Sequence, residues 1–307
     1  MPPDEARRGR VLQRFGVGPA ALIAVGGESF VYGLDAARVL RVLRQPQDPA
    51  TLRRKQAFLA SLDGRLPFAT PVIEVIDPEG GWTVERRIPG ESLLTRLRRL
   101  AGRERATALA SYAEAVDAIA TVTFPDRPYG QILAEPAVTA PTWHDYLEAG
   151  LDGFIALNGA TIAALHGDVE ALRARALRLL PGVAVRPVKA LVHGDYFPGN
   201  VMMDDALAVT GLIDFSAWTT VGDPVYDAVG AVLFLEMMAE ARAEDVALVR
   251  GVVGDRHGTA LDRAMSFYRA YFAFAMADPA NAVGPYPLLW PWARANLAAL
   301  AAGQLGV

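Results

Sequence analysis

Polar and apolar positions alternate over short distances early in the chain and settle into helical spacing later. Residues 21–44, ALIAVGGESFVYGLDAARVLRVLR, read as short strands separated by turn signals at Gly26-Gly27 and Asp35-Ala36. Residues 50–62 carry Leu52, Phe58, Leu59 and Leu62 at the spacing of one helix face. PVIEVID (71–77) and GWTVERR (81–87) predict a further hairpin. After IPGES (88–92) the pattern becomes helical, with candidates at 92–122, 142–157, 160–179, 224–249, 259–277 and 288–302. Short strands interrupt them between residues 191 and 218. Strands first and helices later predict an α+β chain of two lobes, 1–87 and 88–307.

The interruption holds the candidate chemistry. LVHGDYFPGNVMMDDALAVTGLIDFSAW sets Asp195, Asn200 and Asp214 in an otherwise apolar segment. VMM (201–203) and AVTGLI (208–213) flank the turn-like Asp204-Asp205, as a hairpin would. With its pairing centred near residue 207, Asn200 and Asp214 face one another at the open end, about 5 Å apart at Cα. Pro198 and Gly199 bend the chain so that Asp195 returns to the same place. A carboxylate and a carboxamide oxygen so placed suit Mg²⁺, which takes few protein ligands together with phosphate oxygens and water. A further carboxylate can accept the proton of an attacking hydroxyl. Base, metal ligands and a separate nucleotide clamp are the parts of phosphoryl transfer.

Composition narrows the classes. The chain of 307 residues is 52% apolar and 21% charged, which excludes a disordered chain. It has no cysteine, so disulfides and thiolate metal sites are absent and a reducing cytoplasm is the expected compartment. MPPDEARRGR lacks the apolar core of a signal peptide, and AVGAVLFL (228–235) is too short to span a bilayer. Neither a membrane nor nucleic acid is an expected partner, the latter because the net charge is −4. Residues 1–87 carry 13 basic and 10 acidic side chains, and residues 88–307 carry 17 and 24. The acidic second part favours a cationic acceptor by its field.

These residues resemble the aminoglycoside phosphotransferase and choline kinase family, which shares the protein-kinase-like fold. H-G-D-Y-F-P-G-N (193–200) is similar to its catalytic loop, I-D-F (213–215) to its metal-binding segment and G-D-P-V-Y-D (222–227) to the stretch that follows. T-V-E-R-R-I-P-G-E (83–91) resembles the segment joining the lobes, and V-G-G-E-S-F-V-Y (25–32) with V-L-R-V-L-R (39–44) extends the likeness over most of the chain. The resemblance implies a small antiparallel sheet lobe with one helix and a larger helical lobe. It makes Asp195 the base, Asn200 and Asp214 the Mg²⁺ ligands, and His193, Asp223 and Asp227 structural supports of the loop. Gly26, Gly27 and Ser29 would lie over the phosphates of ATP or GTP, Arg41 would reach them, and the backbone from Glu85 to Arg87 would bond the purine.

The sequence departs from the family at one place. The glutamate that partners the strand cation falls, by spacing, on Lys55. A glutamate there is expected to restore an ion pair with Arg41. The expected activity is transfer of a γ-phosphate to a hydroxyl of a small acceptor. Aminoglycosides are favoured by charge. Aromatic stretches such as SFYRAYFAFAM (266–276) and YPLLWPW (286–292) would suit a macrolide, and homoserine, choline and sugars stay open. A nucleotide-binding module without turnover is the competing class, with Lys55 as its support.

Overall fold

The computed structural model describes residues 3–184, 186 and 188–305. Its packing divides into two units: Met1–Gly90 with Thr210–Asp214, and Glu91–Val209 with Phe215–Val307.

The first unit is built on a five-stranded antiparallel sheet of order β1-β2-β3-β5-β4. Its strands are β1 (Leu22–Val25), β2 (Ser29–Gly33), β3 (Arg38–Leu43), β4 (Ile73–Asp77) and β5 (Trp82–Arg86), and its helices are α1 (Pro3–Phe15) and α2 (Pro49–Leu62). Asp48 caps α2 by accepting from the Thr51 N–H. Helix α1 was not expected from the sequence. Its Val11 and Leu12 pack with Tyr32, Leu40, Val42, Trp82 and Val84, and Phe15 joins them at the edge. Each such side chain, once buried, contributes about 1.5–3 kcal/mol. Because strand side chains alternate, Arg41, Thr83 and Glu85 lie on the other sheet face. Arg41 pairs with Thr83 and Val39 with Glu85 across β3 and β5.

Thr210–Asp214 joins this unit through Ala69, whose N–H donates to the Thr210 carbonyl and whose carbonyl accepts from Leu212. Gly211 is required there, since a Cβ would come within 2.3 Å of Ile88.

The second unit contains β6 (Glu91–Ser92), α3 (Leu93–Leu97), α4 (Gly102–Ile119), β7 (Tyr129–Gln131), β8 (Thr139–Ala140), α5 (Trp143–His166), α6 (Val169–Leu179), β9 (Ala190–Val192) and β10 (Val201–Met203). The chain then passes through β11 (Val209–Leu212) and β12 (Thr220–Gly222) to α7 (Val225–Glu236), α8 (Ala243–His257), α9 (Thr259–Ala275) and α10 (Leu289–Ala301). Strands β8, β7, β12 and β9 form a small sheet in that order, and β10 pairs with β6. The turn after β10 closes between Asp204 and Ala208, one residue earlier than the expected centre.

The helix breaks differ from the expected ones at three places. The 92–122 segment divides because Gly102 takes a left-handed φ and the buried Arg105 guanidinium donates to the Leu97 carbonyl at 2.6 Å. Gly159 does not interrupt α5. The break comes at Gly167, with φ 79°, followed by Asp168, which caps α6. The 224–249 segment splits because Asp245 accepts from the Arg242 N–H and starts α8 there. Among the described residues, no helix is long and apolar enough to cross a membrane.

Candidate active site

In the second unit, β9 delivers the chain into the loop His193–Asn200. Gly194 has φ 83°, and a Cβ on it would meet the Trp218 carbonyl oxygen at 2.2 Å, so only glycine fits. The loop is held from beneath by Asp227. Its carboxylate accepts from the N–H groups of His193 at 2.6 Å and Gly194 at 2.9 Å. Burial pushes the Asp227 carboxyl up to about 7, those two N–H groups pull it down, and the Asp195 charge adds to the rise. Asp223 accepts from Val225 and Arg186 N–H groups, and burial raises its carboxyl as well. Both aspartates support backbone, at the first turn of α7.

His193 is fully buried, packs edge-on against Phe215, and its Nδ1 accepts from the Asp195 N–H at 3.3 Å. Asp195 itself is half-buried. The Asn200 amide donates to its carboxylate Oδ2 at 3.0 Å and to its carbonyl at 2.9 Å. With the Asn200 nitrogen engaged, the amide oxygen is the atom it has left to offer a cation. Tyr196 is locked by reciprocal bonds, its hydroxyl to the Tyr112 carbonyl at 2.8 Å and the Tyr112 hydroxyl to its carbonyl at 2.9 Å. Sequence reasoning missed Tyr112, since nothing local marks a tyrosine 84 residues away as a loop support.

The first unit holds the other expected groups. Gly26 and Ser29 close the β1–β2 turn, with the Gly26 N–H donating to the Ser29 carbonyl at 2.8 Å. A Cβ on Gly27 would meet nothing within 4 Å, so its backbone stands open to an approaching anion. Arg41 donates to the Ser29 hydroxyl at 3.1 Å and lies 3.8 Å from Asp214. Asp214 has φ 66°, unusual for a residue with a side chain, and its carboxylate is half exposed.

The partner of Arg41 is Glu85, with Nε 3.1 Å from its carboxylate. Glu85 is buried and also accepts from the Thr83 hydroxyl at 2.7 Å. The diagonal position across β3 and β5 lets the pair meet. First Glu85, then Asp214 and Glu28, raise the Arg41 guanidinium against the effect of burial. Lys55 sits half-buried on the α2 face that carries Leu52, Phe58 and Leu59. Burial first, then the Arg41 charge, hold its ammonium below the ordinary lysine range, while Asp214, Glu85 and Glu28 pull it back. The expectation that a glutamate at 55 would restore an ion pair is therefore corrected: Glu85 already makes it.

Part of the backbone expected to meet the purine is paired within the first unit. The Arg86 N–H donates to the Val72 carbonyl at 2.8 Å and the Arg87 N–H to the Ala37 carbonyl at 2.7 Å.

A model of the APH family, described as a phosphotransferase enzyme family, matches residues 22–271. The chain belongs to that family. The family's kinase-like α+β fold is shared by solved structures of low identity. Aminoglycoside phosphotransferase APH(2'')-Ib with ADP bound is 14% identical, with 97% of this chain and 98% of that one covered and a TM-score of 0.64. The streptomycin-ATP-APH(2")-IIa ternary complex is 14% identical, with 97% of each chain covered and a TM-score of 0.62. Macrolide 2'-phosphotransferase MphH from Brachybacterium faecium is 18% identical, with 95% and 96% covered and a TM-score of 0.57. No curated protein matches the chain.

Proposed function

We propose that the chain transfers the γ-phosphate of ATP or GTP to a hydroxyl of a small acceptor, with Asp195 as the base. The new bond joins the acceptor oxygen to the γ-phosphorus, the bond from that phosphorus to the leaving nucleoside diphosphate breaks, and the hydroxyl proton passes to the Asp195 carboxylate. The carrying observation is the geometry of Asp195. Asn200 holds one carboxylate oxygen, and the loop beneath is fixed through Asp227, so the base is oriented before any substrate arrives. His193 accepts a backbone N–H and packs edge-on against Phe215, which fits a positioning role.

Asn200 and Asp214 are the proposed Mg²⁺ ligands, and their chemistry fits. An amide oxygen and a half-exposed carboxylate are hard donors that leave coordination places for phosphate and water. Bound there, the ion supplies charge neutralisation at the phosphates. Arg41 and the turn of Gly26, Gly27 and Ser29 are the proposed phosphate-binding groups, with open space beside Gly27 and the Gly26 N–H held by the Ser29 carbonyl. The reading of a module without turnover rested on Lys55, and Glu85 removes that ground by giving Arg41 its carboxylate.

Single-turnover phosphate transfer and nucleotide binding, measured across a Mg²⁺ series, test the assignment. Asp195→Asn should lower transfer by about 10²–10⁴ with nucleotide affinity unchanged. Asp214→Asn should lower both and recover partly at high Mg²⁺. Metal rescue of Asp195→Asn would reverse the two roles, and full activity in both variants would end the kinase reading.

A further inference from the structure

A cavity of about 340 Å³ opens in the second unit beside the catalytic loop. Helix α5 forms its floor with Tyr146, Gly150, Gly153 and Phe154, which share one helical face. Trp218, Tyr226 and Tyr271 complete an aromatic wall. Trp218 stacks on Phe154 at 5.5 Å, and Phe154 meets Tyr271 edge-on at 5.0 Å. Gly150 leaves room for the Tyr271 hydroxyl, which a Cβ would approach to 2.2 Å. Gly153 has nothing within 4 Å of where its Cβ would be, so it borders open space.

The cavity is tied to the loop that bears Asp195. Its Thr220 pairs with Val192, the residue before His193. The Trp218 carbonyl packs against Gly194, and the Thr219 hydroxyl donates to the His193 carbonyl at 3.3 Å.

Charge is what the wall lacks. Among the described residues, no carboxylate lines the cavity. The acids of α5 are engaged elsewhere: Asp145 caps the helix with Thr142, and Glu148 and Asp152 bind Arg173. Burial raises the phenols of Tyr146, Tyr226 and Tyr271, which keeps them neutral. A polycation would surrender its hydration here without gaining an anionic partner. An aromatic wall can hold at most one ammonium by its ring faces.

The Thr220 hydroxyl does not serve the cavity: among the described residues it has no hydrogen-bond partner, but its oxygen presents no surface that a ligand could touch.

We infer that this cavity is the acceptor pocket and that it takes a ring-bearing, largely apolar alcohol with at most one positive charge. The inference rests on the kinase reading above and deepens it. It also replaces the preference for aminoglycosides drawn from net charge. The acidic residues of this part of the sequence do not reach the cavity wall.

Binding of 2-naphthylethanol, erythromycin and kanamycin to the full chain is measured by calorimetry, for wild type, Gly153→Leu and Thr220→Val. Both apolar alcohols should bind saturably, at least about tenfold tighter than kanamycin. Gly153 lines the cavity with open space beside it, so Gly153→Leu should narrow it and weaken them by about tenfold or more. Thr220→Val, of nearly the same shape, should leave their affinity unchanged, because the hydroxyl it removes presents no surface to the cavity. ADP affinity, unchanged in both variants, shows that they fold. Kanamycin binding as tight as that of the apolar alcohols, no saturable binding of those alcohols, or indifference to Gly153→Leu overturns the inference. Phosphate transfer is scored separately. Asp195-dependent transfer to kanamycin removes the acceptor class and leaves the kinase. Binding as expected, with no Asp195-dependent transfer, removes the kinase and leaves the pocket.

Discussion

The loop around Asp195 and the sheet face around Arg41 hold their charged groups by opposite means. In the loop, carboxylates bind backbone: Asp227 takes two successive N–H groups, and Asn200 grips Asp195 by both its carbonyl and its carboxylate. On the sheet face, charges bind charges. Arg41 meets Glu85 at 3.1 Å, and Lys55 feels four charged neighbours without a hydrogen bond to any described residue. The first arrangement fixes an atom's position. The second fixes a local potential and leaves a cation uncommitted for an incoming phosphate.

Breaking the loop support should have the largest effect. Asp227→Ala leaves two buried N–H groups without acceptors, each costing about 1–3 kcal/mol. Urea unfolding at a pH near 6 should show a loss of roughly 2–5 kcal/mol. Turnover should fall with it while nucleotide affinity holds. Undiminished stability would mean that the loop is held by other contacts.

The same residue gives a pH signature. Its carboxyl stands at about 7 in the folded chain against an ordinary 3.8, so between those values the folded state binds the extra proton. Wild-type stability therefore declines as pH rises through that window, and the contribution is full only below it. The stability deficit of Asp227→Asn relative to wild type should shrink as pH climbs from about 4 toward 7. A deficit constant with pH would mean that Asp227 is ionised throughout.

On the sheet face, Arg41→Ala should raise the nucleotide Kd by about tenfold, the scale of one charge-assisted contact. Stability should fall less than the 3–5 kcal/mol typical of an orphaned buried charge, because Lys55 is at hand to face Glu85. The double variant Arg41→Ala with Lys55→Met separates the two effects. If it is no less stable than Arg41→Ala alone, Lys55 does not stand in.

The contrast also explains which features are legible in the sequence. His193 through Asn200 form one local unit, and their spacing carries the chemistry. The supports of that loop divide by the same rule. Asp223 and Asp227 lie close in sequence and open a helix, whereas Tyr112 arrives through packing alone. Glu85 was seen as hinge backbone because its pairing with Arg41 depends on the β3–β5 register, which the sequence does not state. Strands of three residues such as β7, β9 and β12 are too short to show a period, and they build the sheet beside the acceptor cavity. Helix α1 went unread because its apolar stripe is only Val11, Leu12 and Phe15 amid charges. The proposed acceptor class departs from the cationic one favoured by charge for a related reason. Net charge is a property of the whole surface, and Glu148 and Asp152 spend theirs on Arg173.

The smallest effect should come from Lys55, and it sharpens the comparison most. Lys55→Glu would add a carboxylate beside Glu85 and Asp214, so nucleotide affinity should weaken a few-fold, by roughly 1 kcal/mol. That loss should diminish with added salt, since the group is only half-buried. Protonation tells more. The cluster holds the ammonium below the ordinary 10.5, chiefly by burial and by the Arg41 charge. A bound phosphate adds negative charge and should move that pKa back up, so at mildly alkaline pH the chain takes up protons as nucleotide binds. Wild-type affinity should then decline with rising pH sooner than an ordinary lysine would cause. Calorimetry in two buffers of different ionisation enthalpy measures the uptake directly. Lys55→Met should abolish it, while Arg41→Ala, which removes a competing cation, should reduce it without abolishing it. Equal uptake in wild type and Lys55→Met would place the proton elsewhere and leave Lys55 as a bystander on α2.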